Sequence, residues 1–323
     1  MSRPNVGNLV VYSQEGDDDV VLPSTSTRYR IVEAIVHLAL SLLETARGRR
    51  VWLTGSSRRR PPPPHIYRDS LANMPYWIQR FLQSMRENFP PISISGGFNG
   101  EAAASKYDWG QDMNDYDAGG AGVLYVSEAI ISNMTHVRQQ ASASTGSSYE
   151  LFKFQMTISV AHEIVHFLTG FITGTILPDT PPAVTAVPYN DRGDVGEAGR
   201  YWESMFLGGF VECWSSTSDP LGPRQAGLPY LFNAGSKQSA TGQQVSMSYV
   251  EEFLNEQFTF PIRASSRARP VTRRALERGG SRETTHLREL PSFRAAGRAN
   301  SPTPSQAAAG TPSRFRRINF YSR

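Results

Sequence analysis

Two histidines and a glutamate stand in the segment Ser159-Val160-Ala161-His162-Glu163-Ile164-Val165-His166-Phe167 at a spacing that can do chemistry. On a helix, His162 and His166 fall one turn apart on one face, where both imidazoles can meet a single Zn²⁺. Glu163 then lies beside them, placed to take a proton from a water on the metal. Such a set supports zinc-dependent hydrolysis of a peptide bond with Glu163 as general base.

The spacing means this only if the segment is helical. Leu151, Phe154, Ile158, Ala161, Val165 and Leu168 follow the three-four spacing of a buried stripe, and Gln155, Ser159, His162, His166 and Thr169 form a polar stripe beside it. The segment is therefore expected to be an amphipathic helix with its candidate ligands turned from the most apolar side. A competing reading, in which the histidines merely make hydrogen bonds in a cleft, leaves the glutamate between them unexplained.

A catalytic zinc needs a third protein ligand and an open position. The metzincin continuation would put Gly at 169 and His or Asp at 172, where this chain has Thr169 and Ile172. A Pro- and Gly-rich loop from Thr173 to Gly193 follows, and then a segment in which Ala198, Trp202, Met205 and Gly209 read as the core side of a second helix. At this point the chain resembles the gluzincins, metallopeptidases in which a glutamate on a later helix completes a His, His, Glu site. The distance from His166 to Glu197 or Glu203 is longer than in the thermolysin type and closer to the clostridial and anthrax toxin peptidases. About fifty residues carry the resemblance, and only the His-Glu-x-x-His element is specific. It implies a zincin-like catalytic domain in which a small sheet precedes the metal-bearing helix, with a strand edge beside the cleft that can pair with extended substrate.

Glu197 and Glu203 lie six residues apart, on different sides of a helix, so one of them is expected at the metal. Glu197 is favoured, because Gly196 and Gly199 permit close backbone approach and a first-turn carboxylate can project across to a neighbouring helix. It also has a capping-box reading, Asp194-x-x-Glu197. Glu203, beside Trp202 and Phe206, is the alternative ligand. The glutamate that does not ligate is expected to orient a ligand histidine. Tyr201, Tyr189 and Arg200 are candidate donors to a transition-state oxygen.

The elements that must position these residues point to an α+β chain, mainly helical with a small sheet. Helices are expected over Tyr29–Ala46, Met74–Asn88 and Ser127–Gln140, and strands over Ile92–Ser95 and Val123–Val126, with Tyr125 on the latter. Asp108, Asp112, Asp115 and Asp117 read as an acidic loop, since an EF-hand's spacing and closing Glu are missing. With 323 residues there is material for one catalytic domain, placed at 28–261, between a disordered segment 1–27 and a disordered tail 262–323.

That tail holds fourteen Arg against three Glu, a net of +11, which leaves −7 for residues 1–261. Few of its residues are aliphatic, so it is expected to stay unfolded, and its charge suits an anionic partner. No signal peptide is evident at the N-terminus, no apolar run is expected to span a bilayer, and Cys213 is the chain's one cysteine. These features lead to the expectation of an intracellular protein, cytoplasmic or nuclear, acting on a peptide or protein substrate with Zn²⁺ as cofactor. The alternative from another class is an inactive zincin-like scaffold whose Arg-rich tail makes the useful contact.

Overall fold

The computed structural model describes residues 6–15, 18–50, 67–96, 100–110, 112–140, 143–174, 180, 197–216, 225–233 and 240–283. Among them lie eight helices and two five-stranded sheets, a mixed α/β arrangement with more sheet than the sequence suggests.

The first sheet is built from β1 (Val11–Glu15), β2 (Asp18–Val21), β3 (Ile92–Ser95), β4 (Ala102–Lys106) and β5 (Gly122–Ser127), in the order β2-β1-β3-β5-β4. Its inner strands β1, β3 and β5 are parallel, and the two edges pair antiparallel. Ile92 and Ile94 alternate with partly exposed serines, so this hydrophobic period of two puts one face of β3 into the core. Tyr125 sits on β5 opposite Ala103, one strand in from the edge; the edge itself is β4.

Four helices come before the motif helix among the described residues. Ser26 caps α1 (Thr27–Leu43) by accepting from the Tyr29 N–H at 3.1 Å, and Ile31, Ile35, Leu38 and Leu42 form its buried stripe. After the short α2 (Ala46–Arg50), α3 (Met74–Glu87) buries Ile78, Phe81, Leu82 and Met85. Following β5, α4 (Glu128–Gln139) leads to α5 (Ala143–Thr173), the 31-residue helix that carries the motif.

Helix α5 runs through the middle of the molecule, packed by α1, α3, α4, α6 (Ala198–Phe206), α7 (Met247–Leu254) and β4. Phe154 meets Phe253 of α7 edge-on at 4.9 Å, and Phe171 lies 5.6 Å from Phe81 of α3. A helix packed around most of its circumference keeps little solvated surface, which is why Gln155, Ser159, His162 and Thr169 of its polar stripe are buried, while His166 stays partly exposed. This also corrects the expectation about bilayer-spanning length. Ser148–Thr173 is long and apolar enough to cross a membrane, with 89% of its most apolar stretch buried against other elements.

The second sheet, entirely antiparallel, was not anticipated. It contains β6 (Phe210–Ser216), β7 (Leu228–Phe232), β8 (Thr241–Gln244), β9 (Val271–Thr272) and β10 (Ser281–Glu283), in the order β10-β6-β7-β8-β9. Helix α8 (Arg273–Arg278) joins β9 to β10 and buries Leu276 against Phe210, Trp214 and Phe232. Residues 271–283 thus form two strands of this sheet and the helix between them, although they fall within the span expected to be a disordered tail. Likewise β1 and β2 fall within the expected N-terminal segment. The rest of the basic tail, 284–323, lies outside the described residues.

Arg273 ties the returning segment down, because its guanidinium forks onto the buried Glu212 carboxylate of β6, with Nε donating at 2.9 Å. Removing this guanidinium takes the main countercharge from a carboxylate shielded from water. Arg273→Ala is expected to lower unfolding free energy by about 3 kcal/mol, read from urea denaturation followed by tryptophan fluorescence.

Candidate metal centre

His162 and His166 point from α5 toward the start of α6, their rings 5.2 Å apart. Glu197 meets them there, its Oε1 lying 3.2 Å from His162 Nε2 and 2.7 Å from His166 Nε2. One donor atom from each of the three residues lies within 4.8 Å of the others, a set that could hold a metal ion. Two imidazoles and a carboxylate form the donor set that suits a three-ligand zinc site.

Glu197 is not a first-turn residue but the N-cap of α6, accepting from the Arg200 N–H through Oε2. Its two oxygens therefore divide between capping the helix and facing the histidines. Asp194, the partner in the capping-box reading, lies outside the described residues.

Glu203 stands on the far side of His162, wholly buried, with Oε1 accepting from His162 Nδ1–H at 2.7 Å. Its other oxygen accepts from Arg200 Nη1 at 3.0 Å. This keeps a proton on Nδ1 and turns Nε2 toward Glu197, and puts Glu203 behind the candidate ligand rather than among the three donors. Arg200, 2% exposed, has its guanidinium over the Phe210 ring, so it serves this buried pair. Tyr201 is half-buried on α6, and Tyr189 lies outside the described residues.

Burial opposes charge on His162, but Glu197, through charge and hydrogen bond, and then Glu203 outweigh it and hold the pKa up to about 10. Burial likewise opposes charge on Glu197, and His162 followed by His166 keeps its carboxyl well below the usual range. The free site is thus an imidazolium locked onto carboxylates, and a cation arriving there displaces a proton.

Glu163 faces β4, where its Oε2 accepts from the Ala104 N–H at 2.8 Å. That contact and Glu101, just before β4, were not anticipated. Glu101 is 1% exposed and accepts from Ser159 Oγ and Gln155 Nε2, both on the polar stripe of α5. Ser159 and Gln155, polar residues one and two turns before His162, were the available signal. The aspartates of the acidic loop cap turns instead: Asp108, Asp112 and Asp117 accept from the N–H groups of Gly110, Asn114 and Gly119.

No family model matches the chain, and no curated protein or solved structure matches it either.

Gly199 explains how α6 comes so close. A Cβ placed there would stand 2.2 Å from His162 Cδ2 and Nε2, inside the imidazole. Gly199→Ala is therefore expected to displace His162 and lower zinc affinity at least tenfold, measured by competition with a chromogenic chelator.

Glu101 yields a pH effect. Burial pushes its carboxyl up to about 7, against the hydrogen bonds from Ser159 and Gln155. A raised acid pKa favours the fold below the unfolded value and loses that contribution as pH rises through the folded one. Wild-type protein should thus lose about 3 kcal/mol between pH 5 and pH 8 from this group, and Glu101→Gln should flatten that slope in urea titrations.

Proposed function

We propose that the chain is a zinc-dependent metallopeptidase. The observation that carries this reading is the convergence of His162, His166 and Glu197 beside Glu163, where the helix that the His-Glu-x-x-His spacing singles out meets the cap of α6. The donor chemistry, the glycine that makes room for the His162 ring and the carboxylate behind that ring all suit a divalent cation with a preference for nitrogen.

Bound by His162, His166 and Glu197, Zn²⁺ would supply Lewis acidity, polarising a carbonyl and acidifying a water. Every other part of the reaction falls to the chain. Ala104 holds Oε2 of Glu163, so that carboxylate is fixed in direction and Oε1 can take a proton and pass it to the leaving amine. Glu203 keeps the His162 proton on Nδ1, so Nε2 stays a lone-pair donor. The outer edge of β4, beside α5, is suited to pair with an extended peptide and lay its backbone across the site.

Glu163→Gln separates binding from chemistry, since this side chain is not one of the three donors. The variant should keep about one zinc per chain by elemental analysis and lose peptide hydrolysis by about a hundredfold or more. Undiminished hydrolysis, or wild-type protein without metal after loading, would sink the reading.

A further inference from the structure

At the start of α7 two segments of chain run side by side. Val245 pairs with Ala264 in the antiparallel sense, the Ser246 N–H donates to the Arg263 carbonyl at 3.0 Å, and the Ser265 N–H donates to that of Gln244 at 2.7 Å. This short ladder opens a groove of about 460 Å³ between the first turn of α7 and the turn after Ala264, lined by Ser246, Ser248, Arg263, Ser265, Ser266 and Arg267. A nucleotide-sized group fits there.

The side chains around the groove offer protons and positive charge. Arg267 is exposed and makes no hydrogen bond or ion pair among the described residues. Arg263 lies 5.5 Å over the Tyr249 ring and meets Glu252 through Nη2, which sets its direction and leaves its other N–H donors open. Both members of that pair are well exposed, so a phosphate can compete for the guanidinium at little cost. A third cation stands nearby: Arg47 donates to the Met205 carbonyl at 3.2 Å, close to Leu207, whose carbonyl accepts from the Ile262 N–H at 2.9 Å. The Tyr249 phenol senses both Arg263 and Arg47. Ser246 Oγ and Ser248 Oγ lie 2.8 Å apart, so one hydroxyl donates to the other and the second proton remains for an acceptor. Among the described residues lining the groove, none is acidic.

Guanidinium groups interleaved with hydroxyls suit phosphate oxygens. The charge along the chain favours a polymer of phosphates over a single one, since residues 262–283 hold seven Arg against two Glu, with no Lys, and the excess reaches +11 by Arg323. A lipid surface fits less well, because none of the exposed large apolar side chains of the described residues lines the groove. We infer that the groove at the start of α7 binds the phosphodiester backbone of a nucleic-acid strand, with Arg263 and Arg267 on its phosphates and the serine hydroxyls between them. No aromatic ring lines the groove, so the backbone is held without regard to base sequence. The metal centre plays no part in this contact.

Fluorescence anisotropy of labelled strands of about 20 nucleotides, titrated with the full-length chain, tests the inference. Single-stranded RNA, single-stranded DNA and duplex DNA are compared to learn which of them supplies the backbone, and binding should weaken steeply with added salt. Arg267→Glu and Ser248→Glu should each lower affinity about fivefold or more, and Arg267→Glu should also reduce the slope of log K against log salt by about 1. Ser248→Glu removes no arginine and puts its carboxylate in the first turn of a helix, where it is favourable, so its effect reports on the groove and not on folding. Arg278→Glu, exposed on α8 and outside the groove, makes the same charge change as Arg267→Glu and should cost about twofold at most. Equal losses for Arg267→Glu and Arg278→Glu would assign binding to the basic segment as a whole and overturn the groove, as would Ser248→Glu without effect. Failure to bind any strand at low salt would overturn it as well, including the case in which the chain binds only phosphatidylserine vesicles or inositol hexakisphosphate.

Discussion

A closely packed helix can present its candidate ligands correctly only in one rotation and at one height, and α5 is pinned in both by polar contacts. Glu101 grips Ser159 and Gln155, the Ala104 N–H holds Glu163, and Glu203 holds His162. Turning the helix by one residue would swing each of these groups by roughly 100° and leave a buried charge or donor without its partner. Apolar packing alone would not discriminate so sharply, since α5 is greasy around most of its circumference. The rungs also match in length: Glu101 to Lys106 covers about 17 Å of strand, and Ser159 to Gly170 covers about 17 Å of helix. Strand and helix therefore run side by side in step.

That arrangement concentrates buried charge. Arg200 and Glu203 are nearly inaccessible, and Glu101 senses both. Replacing such pairs by apolar side chains is often neutral or stabilising, so stability does not explain them. They fix directions instead. Arg200 holds one oxygen of Glu203, which leaves the other with a single orientation toward His162, and the Phe210 ring of β6 supports the guanidinium. Through this contact the second sheet backs the site, although none of its residues is among the three donors.

The sequence exposed those parts of the fold whose hydrophobic period is local. Ile92–Ser95 alternates and is a strand over that same range; Ile31, Ile35, Leu38 and Leu42 recur by turns and lie on α1. The second sheet escaped because its strands lack such a period. Phe210–Ser216 is buried at six consecutive positions, so no alternation separates it from the helix before it, and Thr241–Gln244 is too polar and short to read as a strand. Arg273 looked like one more charge in a basic tail because its partner, Glu212, is distant in sequence. β4 was hidden by its alanines, poor strand formers that suit an edge where the helix must come close. The site shows the same divide: spacing picked out His162, Glu163 and His166, and narrowed the later glutamates to two, but only tertiary packing separates the residue facing both Nε2 atoms from the one behind Nδ1.

Glu197 joins local folding to the centre. As N-cap it gives Oε2 to the Arg200 N–H, and the partial positive charge of the helix start favours its ionised form. The same side chain presents Oε1 to both histidines. With one oxygen held by the backbone, the carboxylate has a single oxygen to turn toward the two histidines. Forming the first turn of α6 and presenting the third donor are then one event, and because Gly199 lies in that turn against the His162 ring, the helix cannot shift along its axis without disturbing both.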